Sequence, residues 1–409
     1  MAKPNNLSHS TAKGSHRAVS IQSVDACNLL RILREHNVKS LQELMQLSRL
    51  SSSRLSSASA FLQAKRLIEP FSCRREAGGR FVCPRINPNY GYVVGVDIGG
   101  TNLRVALADM KGSIRGKWSA TTKGSASPEM VVAQISEGVD HLLRETAAPR
   151  GSLRAIAAGA PGVTDRDAGI VFATSYLKGW KDVPLAQLLK SKLRIPVVVE
   201  NDVKLAAVGE SWAGAARGIR NFVFLAIGTG IAAGIVVNGE LVHGPDWVAG
   251  EVGYMIVPGT PDVPASEGMP GALESMIGGE GLKRQWLLAH GNKRSNSKRD
   301  LSATGIFYHA LAGDRLAKNI LEDSARILAH AIYNISTVLN CSLFVLGGGV
   351  GMSRPLLAAT QKVLVPYTQP SRPNLITSAL GQDAQLIGAI RLALDKAESE
   401  IDLKLSRAN

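Results

Sequence analysis

One pattern occurs twice in this chain and limits what the chain can become. Tyr92-Val93-Val94-Gly95-Val96-Asp97 is a run of strand-forming residues ended by Ile98-Gly99-Gly100-Thr101. It alternates onward through Leu103, Val105 and Leu107, turns at Lys111-Gly112, and resumes at Ile114. About 130 residues later Phe222-Val223-Phe224-Leu225-Ala226 leads into Ile227-Gly228-Thr229-Gly230, then Ile235-Val236-Val237, a turn at Asn238-Gly239, and Leu241-Val242. Strand, Gly/Thr hairpin, strand, glycine turn and strand therefore appear in two copies. Each copy needs a second layer over its apolar face. Helix-period stretches at 128–144, 185–193 and 323–339 supply that layer. The fold class is α/β, with two similar lobes facing a cleft.

The turns have a chemical use. Glycine lets backbone N–H groups approach an anion closely, and a neighbouring threonine hydroxyl adds a donor. Gly99, Gly100, Thr101 and Asn102 form one candidate phosphate cradle, and Gly228, Thr229 and Gly230 form another. Gly347, Gly348 and Gly349, after the apolar strand 343–346, form a third loop against which a flat base or ribose can lie. Any one such loop is most often a structural turn, but three of them, each after an apolar strand, fit a nucleotide-shaped cleft. Asp97, directly before the first turn, is a candidate Mg²⁺ ligand, because Mg²⁺ favours one or two carboxylates plus phosphate oxygens. Asp202 follows the apolar strand 196–199 inside Glu200-Asn201-Asp202, and reads either as a polar group aimed into the cleft or as the N-cap of a helix 203–210.

Charge divides the chain differently. Of the net +14, residues 1–90 carry +9, from 14 Lys/Arg against 5 Asp/Glu. A basic first quarter on a nearly balanced remainder points to a polyanion-binding module. Residues 1–20 read as a disordered polar arm. From there Cys27, Leu29, Leu30, Ile32 and Leu33 line one side of a helix ending near His36-Asn37, Ser40 caps a short helix 41–47, and residues 51–65 form a third helix. Leu67 to Phe71, the turn-rich 74–79 and Arg80-Phe81-Val82 read as a hairpin with a basic tip. This is a winged helix-turn-helix pattern, and a basic protein-interaction unit is the competing reading. Its candidate DNA-contacting residues are Ser52, Ser53, Arg54 and Ser57 on the third helix and Arg74, Arg75 and Arg80 on the wing.

At ~100–200 residues per domain, 409 residues suggest two or three domains. The expected division is an arm 1–20, a DNA-binding domain 21–88, a first lobe 89–205 and a second lobe 206–409 whose last helix packs back on the first. No apolar run reaches the ~18 residues of a membrane span, and the polar N-terminus lacks a secretory core, so a cytoplasmic protein without a membrane partner is expected. Cys27, Cys73, Cys83 and Cys341 lack metal-type spacing and read as reduced thiols. Cys73 and Cys83 flank the wing, with a redox pair across it as the alternative. The basic loop 293–299 reads as a solvated insertion.

Taken together, Asp97-Ile98-Gly99-Gly100-Thr101-Asn102, Gly159-Ala160-Pro161-Gly162, Glu200-Asn201-Asp202, Gly228-Thr229-Gly230-Ile231-Ala232-Ala233-Gly234, Gly250-Glu251-Val252-Gly253 and Gly347-Gly348-Gly349 resemble the ROK family of sugar kinases and sugar-responsive repressors. The resemblance spans about residues 90–394 and implies an actin-like ATPase (ribonuclease H-like) body, and the N-terminal module resembles that of the repressor branch. It implies Asp202 as the base that deprotonates a sugar hydroxyl, with Asn201, Glu251 and Glu274 as sugar ligands. The family's zinc motif is absent: its cysteine positions hold Ala265, Glu267 and Ala272, and its histidine position holds Tyr254. Four N/S donors are the norm for structural zinc, so no metal is expected there. Tyr254 then becomes a candidate sugar contact of longer reach. Ser175-Tyr176-Leu177 departs from the family's usual Pro-Asn-Leu, which puts a further sugar contact in doubt.

Two functions compete. One is a transcriptional regulator, a homodimer or dimer of dimers, that binds a double-stranded DNA operator and responds to a sugar or sugar phosphate. The other is an ATP-dependent hexose or N-acetylhexosamine kinase with a DNA-binding extension. The intact turns and Asp202 keep Mg²⁺ and ATP open as cofactors.

Overall fold

The computed structural model describes residues 21–36, 38–74, 80–122, 126–173, 177, 179–262, 269–289, 302–368 and 372–407. The arm 1–20, Arg75 at the hairpin tip, Ser175 and Tyr176, Ala265 and Glu267, and the basic loop 293–299 lie outside them. Two compact units form: one from residues 1–90 together with 398–409, the other from residues 91–397.

The first unit opens with α1 (Ile21–Glu35), α2 (Leu41–Ser48) and α3 (Ser52–Ala64), followed by β1 (Ile68–Arg74) and β2 (Arg80–Ile86). Ser40 Oγ accepts the Glu43 N–H at 3.1 Å, and Glu43 Oε2 accepts the Lys39 N–H at 2.8 Å, so the start of α2 satisfies donors on both sides. Ser51 caps α3 by accepting the Arg54 N–H. Ala26, Leu29, Leu30, Ile32, Leu44, Leu55, Ala58 and Leu62 make the core. The antiparallel register of β1 and β2 sets Cys73 opposite Phe81 and Phe71 opposite Cys83. The two cysteines are therefore diagonal neighbours rather than a pair facing across the wing, and Cys83 is buried. The end of the last helix completes this unit, where Glu398 and Asp402 hold Arg34 of α1 at 3.3 and 3.4 Å.

The second unit runs through β3 (Tyr92–Ile98), β4 (Asn102–Asp109), β5 (Ile114–Thr121), α4 (Pro128–Glu145), β6 (Leu153–Ala160), β7 (Val163–Asp165), β8 (Ile170–Ala173), β9 (Lys181–Val183), α5 (Leu185–Leu193), β10 (Val197–Asn201) and α6 (Asp202–Ala213). It continues with β11 (Phe222–Ile227), β12 (Ile231–Val237), β13 (Glu240–Leu241), α7 (Ala272–Ile277), α8 (Gly279–Ala289), α9 (Ala303–Leu311), α10 (Arg315–Leu339), β14 (Leu343–Gly347), α11 (Gly348–Gly351), α12 (Arg354–Leu364), β15 (Asn374–Thr377) and α13 (Ala384–Arg407).

The repeated pattern becomes two five-stranded sheets of the same connectivity. Their orders are β10-β6-β3-β4-β5 and β13-β12-β11-β14-β15. In each, the first strand is central, the next two add antiparallel on one side, and the last two add parallel on the other. Each sheet has its own apolar core, one with α4 and α5, the other with α7 to α10 and α12. Helix α10 begins eight residues before the expected 323, at an Asp314 N-cap that accepts the Leu316 and Ala317 N–H groups. Its first turns carry exposed Lys318 and Glu322, which mask the apolar period.

Helix α6 lies between the sheets and carries the Asp202 end. It crosses α13 at Gly209 and Gly388, where an added Cβ would run into the Ala384 and Leu205 carbonyl oxygens respectively. Only glycine permits backbones that close. At the next residue of α6, the buried Glu210 accepts the Ala215 N–H at 2.6 Å, the Leu380 N–H at 3.1 Å and the Ser378 hydroxyl. A fully satisfied buried carboxylate of this kind ties the loop after α6 to the loop before α13.

Candidate functional site

The first hairpin turn is closed by the Gly99 N–H to the Asn102 carbonyl at 2.9 Å. That register puts Asp97 on β3 directly across from Arg104 on β4. Arg104 donates from Nε at 2.9 Å and Nη2 at 2.6 Å, both to Asp97 Oδ2, and its Nη1 lies 3.6 Å from Asp383 Oδ1. Lys117 Nζ donates to the other Asp383 oxygen at 2.7 Å. Burial pushes the Asp97 carboxyl up, and the Arg104 guanidinium opposes that rise. Thr101 and Asn102 stay exposed at the rim.

Asp202 is the first residue of α6, and Asn201, not Asp202, is the N-cap: its Oδ1 accepts the Lys204 N–H at 3.0 Å. The Asn201 amide also donates to the Gly162 carbonyl at 3.0 Å. Its side chain is thus spoken for on both sides, which makes it first a holder of the Asp202 turn. Asp202 Oδ1 accepts the Val203 N–H at 2.8 Å. Burial raises the Asp202 carboxyl to about 7, the Asp97 charge adds to the rise, the Val203 bond works against it, and Glu251 adds a smaller push. A carboxylate poised there can exchange a proton near neutrality.

Glu251 and Glu274 come from the second lobe. Burial raises Glu251, the Lys204 ammonium lowers it, and Glu274 raises it again. Glu274 Oε2 accepts the Ile231 N–H at 2.9 Å, fastening the start of α7 to the strand that leaves the second Gly turn. Tyr254, in contrast, is 58 % exposed, so its phenol is not enclosed by the cleft wall.

The second turn closes by the Gly228 N–H to the Gly230 carbonyl at 2.9 Å, and Thr229 is exposed. An added Cβ at Gly228 or Gly349 would meet no protein atom within 4 Å. Neither glycine is required by packing, so the room beside both is available to a ligand. Gly348 is different, with φ +76° in the left-handed region. At Gly347 an added Cβ would strike the Phe224 ring, so core packing explains that glycine. The residues present fit a nucleotide phosphate: open glycine backbone, exposed threonine hydroxyls, and an Asp97 whose Oδ1 is left over by Arg104. Among the described residues no cluster of three or more His, Cys, Asp or Glu is placed to hold a metal ion, and no helix is long and apolar enough to cross a membrane.

Several neighbours escaped the sequence reading. Lys204, only 3 % exposed, donates from Nζ to the Trp247 carbonyl at 2.9 Å; burial lowers its ammonium, while Glu200 and Glu251 oppose that. The fully buried Glu200 accepts the Asn201 N–H at 2.9 Å and faces His243 Nε2 at 2.7 Å, with Arg166 at 3.8 Å. Arg104 had a readable signal, since a hairpin turning at Gly99–Asn102 sets residue 104 across from 97. A lone lysine among the apolar residues 203–208 of α6 was the signal for Lys204. Nothing local marked His243.

In the first unit, Ser52, Ser53, Arg54 and Ser57 lie exposed on the first turns of α3. Arg74 and Arg80 are partners at the tip end of the hairpin.

The sequence profile described as the ROK family matches residues 93–396. A glucokinase of Halalkalibacterium halodurans is 32% identical over 73% of this chain and 93% of its own length. A Caldicellulosiruptor protein provisionally named a xylose repressor is 26% identical over 91% of this chain and 96% of its own. The crystal structure of a ROK family transcriptional regulator, a homologue of the Escherichia coli Mlc protein, superposes with a TM-score of 0.76 at 20% identity, covering 95% of this chain and all of that one.

Proposed function

This chain belongs to the ROK family, and on that premise we propose that it is a DNA-binding transcriptional regulator of carbohydrate metabolism. Its body, in this reading an actin-like ATPase fold, binds a sugar effector, and its first unit is a winged helix-turn-helix for a double-stranded operator. The carrying observation is that first unit: three helices and a hairpin in the segment with +9 of the charge, with small hydroxyl residues exposed on the third helix. The glucokinase relative accounts for 73% of the chain and the repressor-named relative for 91%. That difference supports a regulator, because the extra coverage must take in sequence ahead of or behind the kinase-like body.

Within the body, Glu251, Glu274 and Asp202 offer acceptors to sugar hydroxyls; Glu274 is held by the Ile231 N–H, the Asp202 turn by the Asn201 cap, and the Lys204 charge favours the ionised Glu251. Three carboxylates near enough for Glu251 to raise Asp202 and Glu274 to raise Glu251 favour a neutral, donor-rich polyol over a sugar phosphate, since their like charge would repel a phosphate dianion. Tyr254 stands at the rim.

A second reading, sugar kinase activity, has its own observation in the Asp202 carboxyl raised to about 7. Bound Mg-ATP would supply the phosphoryl group and the charge that neutralises it. Asp97, through its remaining oxygen, and the Gly99–Asn102, Gly228–Gly230 and Gly348–Gly349 backbones would hold it. Asp202 would accept the proton from the sugar hydroxyl as that oxygen becomes a nucleophile.

The deciding experiment incubates the purified full chain with hexoses and N-acetylhexosamines, with and without Mg-ATP, and follows thermal shift and ADP release together. A sugar-specific shift without ADP supports the regulator alone, and turnover supports the kinase reading. Removing residues 1–88 should abolish operator retardation; specific retardation by the remaining body overturns the DNA-binding assignment.

A further inference from the structure

The polar contacts between α1 and α3 form a short ladder. Gln22 Nε2 donates to Ser57 Oγ at 3.2 Å, and one turn further along α1, Asp25 meets Arg54. Arg54 Nε donates to Asp25 Oδ2 at 2.8 Å and Arg54 Nη2 to Asp25 Oδ1 at 2.5 Å, a side-on fork with both carboxylate oxygens engaged. The two partners differ in exposure: the Asp25 side chain is 7% exposed and that of Arg54 is 52% exposed.

This pairing offsets a local conflict. Arg54 is the third residue of α3, and a cation in the first turn opposes the helix dipole. A buried carboxylate in a basic module is equally unfavourable without a partner. Each residue makes the other tolerable, yet half of the Arg54 side chain still faces solvent, flanked on α3 by Ser52, Ser53, Ser56 and Ser57, all exposed and all short. Arg54 is the long side chain on that surface.

We infer that Asp25 is a positioning residue that turns the Nη1–Nη2 edge of Arg54 outward to read a guanine in the major groove, an inference that rests on the DNA-binding reading above. A guanidinium held on its Nε–Nη2 edge keeps its other edge, two parallel N–H donors at the spacing of guanine O6 and N7. Fixing χ angles before binding also removes the rotamer entropy that a free arginine loses at contact. A phosphate contact needs no such aim, since phosphate accepts from many directions. The serines let the helix enter close enough for the fork to reach a base edge.

The test selects bound sequences from a random double-stranded DNA library with the purified full chain, its Arg54→Lys variant and its Asp25→Asn variant. Arg54→Lys keeps the charge and the helix while removing the fork, and it covers the case in which Asp25→Asn loosens the module. Thermal unfolding of each variant is measured alongside. The wild type should enrich a motif with one G·C pair per half-site whose preference drops roughly 5- to 100-fold in both variants, other positions being unchanged. Identical preferences at every position would reduce Asp25–Arg54 to a packing clamp and overturn the inference. Uniform weakening across all sequences, with a shallower salt dependence, would make Arg54 a phosphate contact and overturn it as well. Failure of the wild type to enrich any sequence would overturn the DNA-binding reading itself.

Discussion

The two Gly/Thr hairpins occupy the same place in two sheets of the same connectivity, yet they are built on different physics. In the first, the strand pair entering the turn is Asp97 across from Arg104; in the second, the corresponding pair is Ala226 across from Ala232. Between the last paired residues lie four residues, 99–102, in the first turn and three, 228–230, in the second. The first therefore presents a carboxylate whose charge spreads through Arg104 to Asp383 and Lys117. The second offers backbone donors and a threonine, braced from outside by Glu274. One scaffold, duplicated, has put its charge on one side of the cleft and its shape on the other.

Removing the charge from the first hairpin should have the largest effect. Arg104→Met leaves Asp97 buried without its partner, and breaking such a pair costs about 3–5 kcal/mol. Urea unfolding of the variant measures this, and a loss under about 1 kcal/mol would mean the first turn is held by shape like the second. Glu274→Ala attacks the second hairpin instead. It strands the Ile231 N–H, worth about 1–3 kcal/mol, and should weaken sugar binding more than nucleotide binding. Thr229→Ala, the mildest change, removes one neutral donor from the exposed rim; nucleotide affinity should fall by about 0.5–1.5 kcal/mol in calorimetry, with stability unchanged.

Asp202 connects the two sides and gives the comparison a pH axis. Its folded-state carboxyl, raised to about 7, binds a proton more tightly than the same group in the unfolded chain. Its contribution to stability is full below the ordinary carboxylate range and is lost as pH rises through about 7. Asp202→Asn should therefore melt higher than the parent at pH 8, gain less at pH 5, and gain nothing below the ordinary carboxylate range. If sugar phosphorylation is detected, the same variant should lose on the order of 10²–10⁴-fold in turnover, and the parent rate should rise across pH 6–8.

Much of this was readable along the chain because it depends on neighbours in sequence. The duplicated hairpins and the helix cap at Ser40 follow from periodicity and turn length, as does the cross-strand partner of Asp97 once the turn is placed, whereas Ser51, counted as the first residue of the third helix, is its N-cap. The helix start at Asp314 was obscured because charged residues on an exposed face blur the apolar period. The N-cap at Asn201 rather than Asp202 differs from expectation by one residue, yet it changes Asp202 from a cap into a group with a carboxylate oxygen to spare.

What the sequence determined by itself was the class of the molecule: a basic module ahead of a twice-repeated α/β unit with glycine turns at fixed offsets from apolar strands. Local backbone geometry and side-chain period suffice for that. Only the tertiary structure decided that Glu200 meets His243, that Glu210 gathers donors from a loop 168 residues away, and that Asp202 sits where burial and Asp97 lift its proton affinity. Burial and proximity are properties of packed elements. Desolvation acts on a carboxylate only after strands and helices distant in sequence have closed around it.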